Sequence, residues 1–240
     1  MSEGNQDFLR TGNVVTFGSY PQKAAFDNPP KQAIEWIVLD TEENRSLLLS
    51  RYILDMKSYH EKWEDITWEG CGLRRWLNQD FLTEAFTEQE RTRIPTVTIE
   101  NPDNANWVTS GGRATRDQIF LISINDLEKY FLSEEEKKRV AKEKRPFVTD
   151  KYYLSGKEQM CFPTDYAFAK NKGSRKKDIG DEKLGCWWWL RTIGDNGSRA
   201  ACVGPVYAFL RGHYVDDCAI GVRPALWITW DEETAREVDA

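Results

Sequence analysis

The last third of the chain is a close succession of short β-type runs. Trp187-Trp188-Trp189-Leu190 comes first, then residues 198–203, then Tyr207-Ala208-Phe209, then residues 220–228. Runs rich in aromatic and β-branched residues, broken by Gly, Asn and Asp, suit the strands of an antiparallel sheet. In an extended strand Trp187 and Trp189 share one face and Trp188 takes the other, so at least one face is core.

The front of the chain adds more strands and two helices. Val14, Val15 and Phe17 lead into Gly18-Ser19-Tyr20-Pro21, read as a strand running into a turn. Residues 34–50 read as a hairpin turning at Glu42-Glu43-Asn44. Leu73, Trp76, Leu77 and Phe81 fall on one helical face with Arg74, Arg75 and Asp80 on the other sides, which predicts a helix over 70–82. Thr87 and Glu90 have the spacing of a capping box, so a short helix spans about 88–93 and stops at Pro95. Val97 and Ile99 alternate as a strand, and residues 101–116, rich in Asn, Asp, Gly, Ser and Thr, form a long loop around Trp107. Residues 118–122 read as a buried strand, and the cap at 123–126 starts a helix over 124–132. The charged run 134–145 suits a solvated helical face, and 170–183 a surface loop. The whole is α+β in class, a single domain over 12–230 between polar tails at 1–11 and 231–240.

Composition bounds the function. Forty per cent hydrophobic and 30% charged residues are ordinary for a folded globular chain. A net charge of -6 and a pI near 5.2 argue against a general nucleic-acid binder. No apolar run approaches the roughly 20 residues of a transmembrane helix. Met1 to Arg10 lacks the basic start and apolar stretch of a secretory signal, and the five cysteines contain no Cys-x-x-Cys pair, so reduced thiols in the cytoplasm are expected. Ten Trp beside nine Tyr and eleven Phe serve large cores and stacked binding surfaces equally well.

Three C-terminal segments carry a resemblance: Trp187-Trp188-Trp189-Leu190-Arg191, Ala200-Ala201-Cys202-Val203-Gly204 and Gly221-Val222-Arg223-Pro224-Ala225-Leu226. In this order, with Phe17-Gly18-Ser19-Tyr20-Pro21-Gln22, Glu35-Trp36-Ile37-Val38-Leu39, Leu73-Arg74-Arg75-Trp76-Leu77-Asn78 and Pro163-Thr164-Asp165-Tyr166-Ala167, the chain resembles a family of uncharacterised bacterial domains with the C-type-lectin-like fold. More distantly it is similar to the formylglycine-generating enzymes and to the variable proteins of diversity-generating retroelements. The resemblance implies a ligand face built from the last strands and their loops, here residues 192–197 and 204–217. That face would present Asp195, Asn196, Arg199, Tyr207, Phe209, Arg211, His213 and Tyr214. If 206–215 is instead a plain hairpin turning at Arg211-Gly212, the alternate aromatics simply pack on the domain.

Other candidates are weaker. The Glu-Pro-Asn and Trp-Asn-Asp signatures of calcium lectins do not occur, and Glu100-Asn101-Pro102-Asp103 reads as a β-turn. Cys202 and Cys218 fall where the resemblance to formylglycine-generating enzymes would place a thiol and copper chemistry, but their apolar flanks favour buried inert thiols. His60 reads as part of an exposed loop, and neither it nor His213 has metal-ligand spacing. Arg191 and Arg223, each within an apolar run, need a carboxylate or carbonyls if buried. The reading is therefore a non-catalytic recognition domain for a protein, peptide or glycan that needs no cofactor. A thiol- and copper-dependent oxidase is the alternative.

Overall fold

A computed structural model describes residues 10–24, 29–143, 151–153, 161–170, 186–205 and 207–230. Strand β1 (Val14–Pro21) pairs antiparallel with β2 (Lys31–Glu42), which turns at residues 43 and 44 into β3 (Arg45–Ser50). The hairpin expected over 34–50 is therefore present. The turn expected at 18–21 is not: β1 runs on to Pro21, and a register shift between Thr16 and Ser19 takes its place. Gly18 sits in that shift at φ +67°, with the Phe86 ring and the Ala85 carbonyl against its Cα, where no side chain fits.

After β4 (Asp55–Met56), Cys71 caps α1 (Gly72–Trp76), which passes through a π turn (Leu77–Phe81) into α2 (Leu82–Ala85). The stripe Leu73, Leu77 and Phe81 is buried as its spacing requires. Helix α3 (Glu88–Thr92) opens with the expected capping box. A separate two-stranded ribbon follows, β5 (Val97–Ile99) with β6 (Thr115–Asp117), and then β7 (Ile119–Phe120), shorter than the strand expected over 118–122. Helix α4 (Ile124–Phe131) starts at a second capping box, Ser123 with Asp126, and α5 (Glu134–Glu143) carries the charged run.

The remaining elements are β8 (Lys151–Tyr153), α6 (Asp165–Lys170), β9 (Trp188–Ile193), β10 (Arg199–Val203), β11 (Tyr207–Tyr214), β12 (Gly221–Val222) and β13 (Ala225–Thr229). The expected loop over 170–183 falls outside the described residues beyond Lys170, as do the polar tails except for residues 10–11 at their inner edge.

The strands form two main sheets where the sequence suggested one. The first has the order β1-β2-β3-β13-β7 and the second β4-β12-β9-β10-β11-β8. Pairing is antiparallel apart from β12 with β9. The run expected as one strand over 220–228 is divided between them: β12 ends at Val222, the chain crosses at Arg223-Pro224, and β13 begins at Ala225 in the other sheet.

One hydrophobic core takes residues from Val15 to Ile228, with four tryptophans among its buried members. Trp36, Trp68, Trp188 and Trp189 are fully buried, so both faces of β9 are covered. Buried indole N–H groups need acceptors. Trp36 donates to the Phe17 carbonyl at 2.7 Å, Trp189 to that of Lys57 at 2.8 Å and Trp68 to the Asp117 carboxylate at 2.9 Å.

Candidate functional site

The last strands come together around a shared irregularity. β9 and β10 are joined by a tight turn in which Asn196 Oδ1 accepts from Ser198 N at 3.0 Å and Ser198 Oγ at 2.7 Å. Both neighbours of β10 bulge at one level: Ala200 faces Ile193 and His213, whereas Cys202 faces Trp189 and Phe209. Gly212, at φ +84°, lets β11 absorb the extra residues, so Tyr207–Tyr214 is a bulged strand and not a hairpin turning at Arg211-Gly212.

Bulges leave carbonyls without ladder partners, and a distant residue satisfies them. Asn104, buried in the long loop before β6, donates from Nδ2 to Ile193 O at 2.8 Å, Leu210 O at 3.0 Å and Gly194 O at 3.4 Å. The sequence marked this stretch only as a loop of polar residues.

Four of the expected site residues assemble beside these bulges. Asp195 accepts from Arg211 Nε at 2.7 Å and lies 3.7 Å from Arg199 Nε. The Arg199 guanidinium lies 4.3 Å over the Tyr214 ring, and Tyr214 meets Trp63 edge-on at 5.8 Å between centroids. Trp63 is 68% exposed and Tyr214 47%, an unusual outlay of aromatic area in a chain whose other tryptophans are buried or half-buried. One carboxylate between two guanidiniums leaves the group cationic.

Trp63 is the residue that sequence reasoning missed. It belongs to a segment remote in sequence that is pinned along the last strands by His60 N to Val215 O at 2.8 Å and Ile66 N to Gly197 O at 3.0 Å. A lone tryptophan among charged residues, Glu61-Lys62-Trp63-Glu64-Asp65, was the available signal.

Of the other expected residues, Phe209 and His213 are occupied elsewhere, whereas Asn196 borders the group and donates from Nδ2 to Asp195 Oδ1 at 2.9 Å. Asn196 holds the turn. Phe209 and His213 pack with Trp187 at centroid distances of 5.3–6.2 Å, and His213 Nδ1 lies 3.7 Å from Asp217 Oδ2. Tyr207 occupies the first position of β11, opposite Tyr153.

The two arginines of the apolar runs are structural. Arg191 pairs with Asp126 at 2.6 Å and donates to Leu121 O at 2.8 Å and Glu100 O at 3.0 Å. Burial pushes the Asp126 pKa up, but the Arg191 charge and the Ser123 hydrogen bonds outweigh it, and the net shift is downward. Arg223 is buried with no carboxylate among the described residues paired to it. It donates from Nε to Ser50 O at 2.9 Å and lies between the rings of Trp188 and Phe131, at 5.0 and 5.8 Å. Its Nη1 has no hydrogen-bond partner among the described residues.

All five cysteines are free thiols. Cys202 is enclosed in β10, and burial pushes its pKa well above the ordinary value. Cys218 departs from the expectation of a buried thiol, since it is exposed. His60 is the opposite correction: it is buried, accepting from Gly72 N at 3.2 Å through Nδ1 and bonded to Glu64 at 2.8 Å through Nε2. Residues 100–103 form no turn; Asn101 is buried and the Glu100 carbonyl serves Arg191.

The fold and this surface define a mixed α+β domain of mostly antiparallel sheets, bearing an exposed cationic and aromatic group on its last strands. None of its described helices is long and apolar enough to cross a membrane. The profile of a family described as a domain of unknown function (DUF6273) matches residues 43–230, and the chain belongs to that family. No curated protein and no solved structure matches it.

Proposed function

We propose that the chain is a non-catalytic recognition domain of the C-type-lectin-like kind, binding a protein segment through Trp63, Arg199, Arg211 and Tyr214. The observation that carries this reading is the exposed Trp63–Tyr214 pair standing over Arg199 and next to the Arg211–Asp195 ion pair. Trp, Tyr and Arg are the residue types that dominate binding energy at protein interfaces. The two guanidiniums around one carboxylate offer donors to an acidic side chain of the partner segment, and the exposed rings take an apolar anchor. The enzymatic alternative has less support: Cys202 is held as a neutral thiol inside a sheet, so it supplies no thiolate for metal or redox chemistry.

The test is selection of peptides from a display library on the immobilised protein, counter-selected against Trp63→Ala/Arg211→Ala/Tyr214→Ala, with a glycan array probed in parallel. An acidic, aromatic consensus retained by wild type and lost by the triple variant is the expected result. Binding to glycans alone would move the ligand class. Equal behaviour of the two proteins in both assays sinks the site.

A further inference from the structure

A concavity lies apart from the ion-paired group of the last strands. A cleft of about 500 Å³ opens between residues 56–61 and the face of α1 with its π turn, a volume within the roughly 300–1,000 Å³ of small-molecule sites. Two cations, Lys57 and Arg75, and two anions, Glu61 and Asp80, line it beside the Trp76 ring and the Gln79 amide. The π turn of residues 77–81 carries Gln79 and Asp80 to the cleft, and π turns concentrate at functional sites because their geometry is otherwise unfavourable.

These charges are little used within the protein. Lys57 Nζ rests 4.7 Å over the Trp76 ring with no carboxylate among the described residues paired to it. Arg75 and Glu61 approach only to 3.8 Å, Glu61 also lies 3.3 Å from His60 Nδ1, and the Arg75 and Glu61 side chains are more than half exposed, at 59% and 64%. The side chains of Asp80 and Gln79 make no hydrogen bond to described residues. Glu61 is held in place sterically, its carboxylate lying against the bare Cα of Gly72 where a side chain would displace it.

We propose that this cleft binds a small dipolar ligand of the α-amino-acid or short-peptide class. Its carboxylate meets Arg75 and Lys57, its ammonium meets Asp80 and Glu61, and its side chain or methylene lies against Trp76. A purely anionic or purely cationic ligand leaves one like-charged pair opposed to it, whereas a zwitterion satisfies both pairs at once.

Cys218 on the cleft wall supplies the readout, because the other four cysteines are buried. The rate of N-ethylmaleimide labelling at Cys218 in the full chain is followed by mass spectrometry with each of the twenty standard amino acids, glycylglycine, acetate or ethylamine added. At least one amino acid or the dipeptide is expected to slow labelling tenfold or more, with acetate and ethylamine inert at equal concentration. Arg75→Ala, Asp80→Ala and Gly72→Ala should each raise the protecting concentration at least tenfold with an unchanged melting temperature. Trp63→Ala should leave protection intact, which separates this site from the recognition surface. Labelling that no amino acid or dipeptide slows, protection by acetate equal to that by its zwitterion, or full protection in Arg75→Ala and Asp80→Ala overturns the proposal.

Discussion

Arg191 and Arg223 pose the same question in the sequence, a cation inside an apolar run, and the structure answers it differently. Arg191 serves a carboxylate and two carbonyls, so removing it strands both carbonyls and takes the counter-charge from Asp126. Breaking such a pair costs about 3 kcal/mol. Arg223 keeps one carbonyl and two aromatic faces while Nη1 meets no acceptor among the described residues, so a volume-matched apolar residue recovers most of what is lost. Urea melts should therefore show Arg191→Met destabilised by about 3 kcal/mol and Arg223→Met by less than about 1 kcal/mol. A reversed order would mean that the ring contacts of Arg223 outweigh its desolvation. The need for partners was legible at both positions; their identity was not, because Asp126 and Ser50 lie far away in sequence. The Arg191 pair also sets a pH dependence. Folded Asp126 binds its proton more weakly than the unfolded carboxyl, so its contribution is complete above about pH 4 and disappears as pH falls through the lower folded value. Asp126→Asn should accordingly lose less stability than wild type between pH 4 and more acidic solution.

Among the elements, what the sequence predicted well was written within a few residues. Both capping boxes formed because the hydroxyl and carboxylate that close them are three positions apart. The division of residues 220–228 and the bulge in β1 depend instead on partners that only the fold supplies. Glu90 joins the two kinds of information: Oε2 accepts from Thr87 N at 2.7 Å, while Oε1 accepts from Gly18 N at 3.2 Å across to β1. Thr87→Ala should cost about 1 kcal/mol, the usual loss of an N-cap. Glu90→Ala should cost about 1 kcal/mol more, because the amide at the β1 bulge also loses its acceptor. Equal losses in chemical denaturation would show that water replaces Glu90 at Gly18. The candidate surface obeys the same division. Arg199, Arg211 and Tyr214 were visible as a mixture on the last strands, but Trp63, and the Asn104 that braces the bulges beneath them, come from loops whose docking no local pattern encodes.

At the scale of the whole molecule, the two sheets share one core rather than enclosing two, and the buried thiols sample it widely. Cys71 caps α1, Cys202 lies in the middle of the second sheet, and Cys161 and Cys186 are linked through their backbones at 3.0 Å where α6 approaches. Burial pushes the Cys71 pKa up to about 12 and raises those of Cys161 and Cys202, so none is a competent thiolate until the surrounding core opens. If the contiguous core unfolds as one cooperative unit, Cys71 and Cys202 become reactive through the same opening despite belonging to different elements. Maleimide labelling under mild urea should then report equal opening free energies for the two, each falling with denaturant at the slope of global unfolding, while Cys218 labels at a rate independent of urea. A smaller opening energy at Cys71 would instead divide the molecule, with α1 and its π turn detaching while the second sheet stays folded. Because that helix forms one wall of the charged cleft, the same experiment decides whether the cleft is a rigid cavity or one that opens by local unfolding.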